Sequence, residues 1–337
     1  MSLLDKITAL QSVNTLSKHE HLVNGITEAI DAKILSKGDQ LPSINVMVKE
    51  LGYARKTIVK AYEELKSRGI VESKQFKGYY ILSEETHLKM KVALLLYAFH
   101  SFQETFYNTF RDHLGDNVQM DVFFHHNNPE LFETILSNIE KRYGMYVIAP
   151  IQSPTVSARL KDFPPEKLLL VDRYLPLGPE YSYIAQEFEQ NTFEKLGRLL
   201  PQIQKYEHLM LLFREDADYP EGIRKGFVKF LEKHGVEGSI REAYEVGTLQ
   251  KGYAYLFISD NNLFLLVRDC LKENFTIGED VGIISCNESL TKEIIASGLT
   301  TMSTDFVEMA RKAAEFVNTR KPIQEIIPTR LIKRKSL

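Results

Sequence analysis

Along the first 82 residues the apolar positions keep a helical period, and from residue 91 onward short apolar runs alternate with amphipathic stretches. In the first region Leu22, Ile26, Ile30 and Ile34 recur every four residues, which puts a single apolar stripe on a helix. The following SKGDQLP ends it, because Gly38 and Pro42 do not continue a helix. Next, SINVMVKELG predicts a short helix with Ser43 as N-cap and Gly52 at its end. After a turn around Tyr53, the spacing of Ile58, Ala61, Tyr62 and Leu65 predicts another helix that stops at Gly69. In IVESKQFKGYYIL, β-branched and aromatic residues surround KQFKG, the pattern of a hairpin with a basic tip. Two helices joined by a tight turn and followed by a hairpin make a helix-turn-helix with a wing.

Residues 83–90, SEETHLKM, are polar and read as a linker. Beyond them KVALLLYAF, VQMDVFFHH, MYVIAP and KLLLVDR predict strands, separated by helical stretches such as FQETFYNTFRDHLG and PELFETILSNIEKRYG. A second set starts near His208 with HLMLLF and continues through YPEGIRKGFVKFLEKHG, AYLFISD, NLFLLVRDCLKENF and VGIISC. Strands alternating with crossover helices imply parallel sheets covered on both faces. The expected fold class is therefore α/β: an N-terminal winged helix-turn-helix over residues 1–82, a linker, and a two-lobed domain of parallel α/β sheets over residues 91–337 with a cleft between its lobes.

Composition narrows the function classes. The formal net charge of −3 excludes a chain that coats nucleic acid everywhere, yet leaves room for one basic patch. Such a patch stands out between Lys49 and Lys77, where eight basic residues face four acidic ones, a local balance of 8 − 4 = +4. The two cysteines, Cys270 and Cys286, sit in apolar surroundings without metal-ligand spacing, so buried free thiols are expected, with no metal and no cofactor. The N-terminal twenty residues lack the apolar core of a signal peptide, and runs such as VALLLYAF are too short to span a bilayer. A cytoplasmic protein without membrane partners is the expectation. No Gly-x-Ser-x-Gly elbow, phosphate-binding Gly-Lys loop or Gly-x-Gly-x-x-Gly follows a strand, which disfavours an α/β enzyme.

The basic residues cluster where chemistry needs them. In a helix-turn-helix the second helix enters the major groove with its N-terminus leading, and that end of the helix here carries Arg55, Lys56, Thr57 and Lys60. Lys74, Gln75 and Lys77 occupy the hairpin tip. A single lysine at such a place would be an ordinary solvated side chain, but the ordered set agrees with the element pattern. Residues 41–81 resemble the winged helix-turn-helix of the GntR family of bacterial transcription regulators. Leu41, Pro42, Ser43, Leu51, Gly52, Arg55, Thr57, Ala61, Leu65, Gly69, Gly78 and Ile81 carry the resemblance. It implies DNA contacts from Ser43, Arg55, Thr57, Lys77 and Gly78; Lys56, Lys60, Lys74 and Gln75 join them by position and charge. Asn45, Val59 and Phe76 depart from the family's usual arginine, arginine and first wing glycine, and mark where base preference would differ.

The C-terminal half, notably YLFISDNNLFLLV, VGIISCNESL, GLTTMSTDF and LIKRKSL, resembles the effector domain of LacI-family repressors and sugar-binding proteins, a periplasmic-binding-protein-like fold. A GntR-type head on a LacI-type body resembles the arabinose-repressor group of bacterial regulators. In open α/β sheets ligands sit at the carboxyl ends of strands. That rule selects Phe99, His100, Ser101 and Phe102 after the first strand, His125, His126, Asn127 and Asn128 after the second, Asp172 and Arg173 after the fourth, Asp218 ahead of a helix, Ser259 and Asp260 at the end of another strand, and Asn287 after VGIISC. The resemblance implies effector contacts from Asp172, Arg173, Arg224 and Asn287, the last standing where the family commonly has an aspartate. Phe102 or Phe257 would cover an apolar sugar face, although Phe257 also fits a core position and HHNN a plain polar loop. His125 and His126, adjacent in a strand-like segment, would point to opposite faces and make a poor metal pair. These groups suit a neutral monosaccharide, a pentose or deoxyhexose such as arabinose or fucose; a sugar phosphate would need more positive charge than Arg173 and Arg224. The expected partners are operator DNA, a sugar effector and a second copy of the chain in a homodimer that represses transcription. The alternatives are a sugar-binding module with no role on DNA or, further off, an α/β enzyme.

Overall fold

The computed structural model describes residues 2–11, 16–86, 90–115, 118–215 and 219–337. The chain forms two compact units, one of residues 1–94, 115–122 and 137–146, the other of residues 95–114, 123–136 and 147–337.

The first unit begins with α1 (Leu3–Leu10), α2 (Lys18–Asp31), α3 (Ile44–Leu51) and α4 (Arg55–Ser67), followed by the antiparallel hairpin β1 (Val71–Lys74) and β2 (Gly78–Ile81). Capping boxes start α1 and α2, pairing Ser2 with Asp5 and Ser17 with Glu20. Leu22, Ile26, Ile30, Ile58, Ala61, Tyr62 and Leu65 pack into one core. Ile34 falls beyond the end of α2 and is only partly buried, because the chain turns at Lys33, where φ is 57°. α1 was not apparent in the apolar period, since its two buried residues, Leu3 and Ile7, span a single turn. It packs on α2 at Gly25, where any Cβ would come within 2.5 Å of the Ile7 side chain.

Ser43 caps α3, accepting from the Val46 N–H at 3.3 Å, and Gly52 ends it with φ of 66°. The turn into α4 is fixed from below: Tyr53 is buried, with its hydroxyl 3.0 Å from His21 Nδ1, and the Tyr62 hydroxyl donates to the Pro42 carbonyl at 2.8 Å. These bonds tie the turn and the segment before α3 to the helices behind them.

The remaining elements are β3 (Met90–Leu96), α5 (Ser101–His113), β4 (Val118–Phe124), α6 (Pro129–Ile139), β5 (Met145–Ile148), α7 (Pro154–Leu160), β6 (Leu168–Asp172), β7 (Ser182–Ala185), α8 (Glu189–Ile203) and β8 (His208–Leu212). They continue through α9 (Glu221–His234), β9 (Gly238–Arg241), β10 (Tyr253–Phe257), α10 (Asp260–Glu273), β11 (Gly282–Cys286), α11 (Leu290–Ile294), β12 (Thr300–Thr304), α12 (Phe306–Thr319), β13 (Gln324–Ile326) and β14 (Thr329–Ile332). Among the described residues they build two six-stranded sheets, in the orders β13-β7-β6-β5-β3-β4 and β14-β12-β11-β10-β8-β9. Inner strands such as β5 and β11 are buried along their whole length, which is why they read as unbroken apolar runs.

The two sets of strands are not simply consecutive. β7 and β13 both join the first sheet, β13 pairing parallel to β7, and α12 packs on α5, β6 and β7. The chain therefore passes between the sheets after β7 at residues 186–188, before α12 at Asp305, and between β13 and β14 at residues 327–328. β7, β9, β13 and β14 are three or four residues long and escape a periodicity reading. α8 lies close on α9 because Gly226 has no Cβ; one would sit 2.3 Å from the Glu189 carbonyl oxygen.

Candidate nucleic-acid interface and effector cleft

On the helical head all the predicted residues but Thr57 are exposed. Ser43, Arg55, Lys56 and Lys60 are exposed and Thr57 half-buried. Ala54, the N-cap of α4, offers no side-chain acceptor, so the first N–H groups of α4 have no side-chain cap. The Arg55 guanidinium donates to Asn45 Oδ1 at 2.5 Å, so the residue that replaces a family arginine orients another one. Lys74 is 3.0 Å from Glu72 and its ammonium lies 4.6 Å from the Tyr80 ring centre, which ties it to the hairpin's own face. Gln75, Lys77 and Gly78 are exposed at the tip. Between them Phe76 is 99 % exposed and holds φ of 58°, a conformation that favours glycine.

In the second unit a cavity of about 580 Å³ opens at the carboxyl ends of strands from both sheets. Phe102, Asp172, Arg173 and Asn287 line it, as expected, together with His100, Gln186, Arg214 and Asp260. Asp172 ends β6 with φ of 68°, and Asn287 follows β11 with φ of 62°. Both are side chains held in the left-handed region beside a cavity, where backbone strain is tolerated because surrounding bonds overrule it.

Those bonds are specific. Gln186 donates its side-chain amide to the Asp172 carboxylate and its backbone N–H to the Asp172 carbonyl at 2.9 Å, while Thr304 Oγ1 donates to Gln186 Oε1 at 2.5 Å. Arg173 Nε is 3.5 Å from Asp172 Oδ2, and its guanidinium carbon lies 5.4 Å from the Phe188 ring centre. Asn287 donates its N–H to the Met302 carbonyl at 2.9 Å. Lys292, buried at 1 % exposure, donates to the carbonyls of Cys286 at 2.6 Å and Asn287 at 2.8 Å and pairs with Asp260 Oδ1 at 2.7 Å. It thereby holds the turn after β11 against the start of α10. Burial pushes the Cys286 thiol up to about 12, so the cavity wall carries a protonated thiol. Burial also lowers the pKa of His100, with Asp260 opposing the shift.

Three expected effector residues lie elsewhere. Asn127 sits in the turn after β4 with φ of 55°, its N–H donating to His125 Nδ1 at 3.1 Å, outside the cavity wall. Arg224 lies along α9, bonds its i,i+3 partner Glu221 at 2.8 Å, and does not line the cavity. Phe257 is fully buried in the core beneath β10, stacked on Tyr255, because β10 is covered on both faces. Asp218 lies outside the described residues. His125 and His126 follow β4 rather than continuing it: His125 is buried and His126, at φ of 48°, is exposed. Among the described residues no cluster of three or more His, Cys, Asp or Glu could hold a metal ion, both cysteines are free and buried, and no helix is long and apolar enough to cross a membrane. Missed by sequence reasoning were Gln186, Arg214 and Lys292. Gln186 and Lys292 act across elements distant in sequence, and a lysine in an amphipathic helix gives no sign of being buried.

Comparison with known proteins gives two separate family matches. Residues 18–81 match the model of the bacterial regulatory proteins of the gntR family, and residues 204–337 match that of the periplasmic binding protein-like domain. The chain is a transcription regulator with a GntR-type head. The second match takes in β8 to β14 of this regulator. Among curated proteins no sequence matches it significantly. Among solved structures, a LacI family transcriptional regulator from Lactobacillus casei with bound sucrose is 15 % identical at a TM-score of 0.64, covering 74 % of this chain and 100 % of that one. One from Silicibacter pomeroyi is 15 % identical at 0.62, covering 73 % and 98 %. Another, from Weissella paramesenteroides with bound sucrose, is 16 % identical at 0.59, also covering 73 % and 98 %. At such identities the likeness is one of fold. The family matched by the head and the structures matched by the body are those of regulators, and the regulator is not an enzyme.

Proposed function

We propose that the chain is a cytoplasmic, sugar-responsive repressor. Residues 1–82 bind operator DNA, residues 83–90 link, and residues 91–337 bind the effector and dimerise. The observation that carries the sugar reading is the 580 Å³ cavity, whose wall combines the hydrogen-bonding groups of Asp172, Arg173 and Asn287 with the aromatic ring of Phe102. Such a wall suits a ring with hydroxyls on its edge and C–H groups on its face. A five- or six-carbon monosaccharide of the arabinose or fucose kind fills this role, and the sucrose and glucose seen in the LacI-family relatives support the class. On the head, Ser43, Arg55, Lys56, Thr57 and Lys60 meet the major groove and its phosphates, and Lys74, Gln75, Lys77 and Gly78 bring the wing to the backbone. A dimer presents two heads to a palindromic site.

A thermal-shift screen of the full chain against a monosaccharide panel tests the sugar reading. A ligand at 100 times its Kd stabilises the fold by about 2.7 kcal/mol. No shift with any sugar would remove it. Gel-shift selection from a random duplex pool at low salt tests the DNA reading, and failure to enrich any sequence would remove that.

A further inference from the structure

Beside the main cavity lies a side pocket of about 40 Å³ where the chain passes between the sheets, and Lys195 of α8 lines it. Gln186, Phe188, Ile223, Cys286 and Asn287 line both spaces, so the pocket is a recess of the cavity. Helical side chains lean toward the helix N-terminus, which directs Lys195 toward residues 186–188. It is only 7 % exposed, and among the described residues no hydrogen bond or ion pair engages its amino group.

The acids nearby already have partners. Asp172 takes the Gln186 amide and Arg173, and Asp260 takes Lys292; Glu187, which also lines the recess, has its two oxygens taken by the backbone N–H groups of Gln190 at 2.9 Å and Asn191 at 2.7 Å at the start of α8. An ammonium with no ion-pair partner on the wall of a ligand cavity is placed to make a charge-assisted hydrogen bond to an anionic group of the ligand. Asn287, on the wall common to both spaces, adds an amide with two donors.

We propose that the effector is an acidic sugar whose carboxylate enters this recess and pairs with Lys195, while its hydroxyls meet Asp172. This rests on the sugar reading above and departs from its neutral arabinose or fucose in one respect, a carboxylate on the five- or six-carbon sugar. A water needs about 10–15 Å³ of such space, so the recess of about 40 Å³ has room for the two oxygens of a carboxylate.

Calorimetry on the full chain tests it with matched sets: D-glucuronate, D-glucuronamide and D-glucose, D-galacturonate and D-galactose, L-arabinonate and L-arabinose. One acid is expected to bind at least tenfold tighter than its neutral counterpart, and Lys195→Gln to bring that ratio to about one. Neutral sugars that bind as well as their acids overturn the proposal and leave the sugar reading standing, as does an acid preference that survives Lys195→Gln. Should Lys195→Gln not fold, the acid-to-neutral ratios on the unsubstituted chain decide alone. If no sugar of either kind binds, the sugar reading falls and takes this inference with it.

Discussion

Phe76 carries two opposed demands at one position. Its backbone sits at φ of 58°, which costs a non-glycine residue roughly 1–3 kcal/mol, and its ring is 99 % exposed and buries nothing in return. Phe76→Gly is therefore expected to stabilise the head by about 1 kcal/mol, once the extra freedom of glycine in the unfolded chain is subtracted, as read by urea denaturation. The same change is expected to weaken operator binding in a gel shift, because the wing loses its apolar tip. Equal or tighter DNA binding would take Phe76 off the DNA surface. In the cavity the contrast is between Asp172 and Arg224. Asp172→Asn is expected to weaken sugar binding at least tenfold, while Arg224→Ala, whose partner is Glu221, leaves it within twofold, both by calorimetry. Asp172, Arg173 and Asn287 could be found from sequence because each ends or follows an unmistakable strand. Arg224 could not be excluded from sequence, because which side of α9 faces the cavity depends on how that helix packs.

At the scale of elements, the turn after β4 is held to the end of β5 by one neutral histidine. His125 Nε2 lies 3.1 Å from the Ala149 carbonyl, and Nδ1 accepts the Asn127 N–H at 3.1 Å, so Nε2 carries the proton. Burial pushes its pKa down to about 4, the Ala149 bond opposing. The unfolded chain takes up this proton near pH 6.5, so stability is complete above that value and falls as pH drops from about 6.5 to 4, by roughly 3 kcal/mol at the lower end. Denaturation at pH 7 and pH 4.5 is expected to differ accordingly, and His125→Asn to flatten the difference. The sequence suggested a polar loop at HHNN. Burial of His125 follows from the approach of Ala149, which lies 24 positions along the chain.

For the whole molecule, head and body are joined by linkage. If the sugar weakens operator binding, the operator must weaken sugar binding by the same factor, typically about 5–150-fold. Measuring both affinities with and without the other ligand tests this, and unequal factors would mean that the two do not act through one equilibrium. Arg55→Ala with Lys56→Ala is expected to abolish operator binding while the sugar-induced thermal shift persists. Loss of both together would show that the substitutions unfold the chain.

The sequence by itself determined the elements whose residues state their own environment. Four-residue spacing defined α2 and α4, Ser43 and Gly52 bounded α3, and fully buried strands announced themselves as apolar runs. It also determined the basic tip, since charge on a helix end needs no distant partner. Only the tertiary structure decided what depends on passage between the sheets. β7 and β13 joined the first sheet, Gln186 came to lie between Asp172 and Thr304, and Lys195 and Lys292 were enclosed. The physical reason is that burial of a polar side chain depends on what other parts of the chain bring against it, and for Gln186 that part, Thr304, lies 118 positions away.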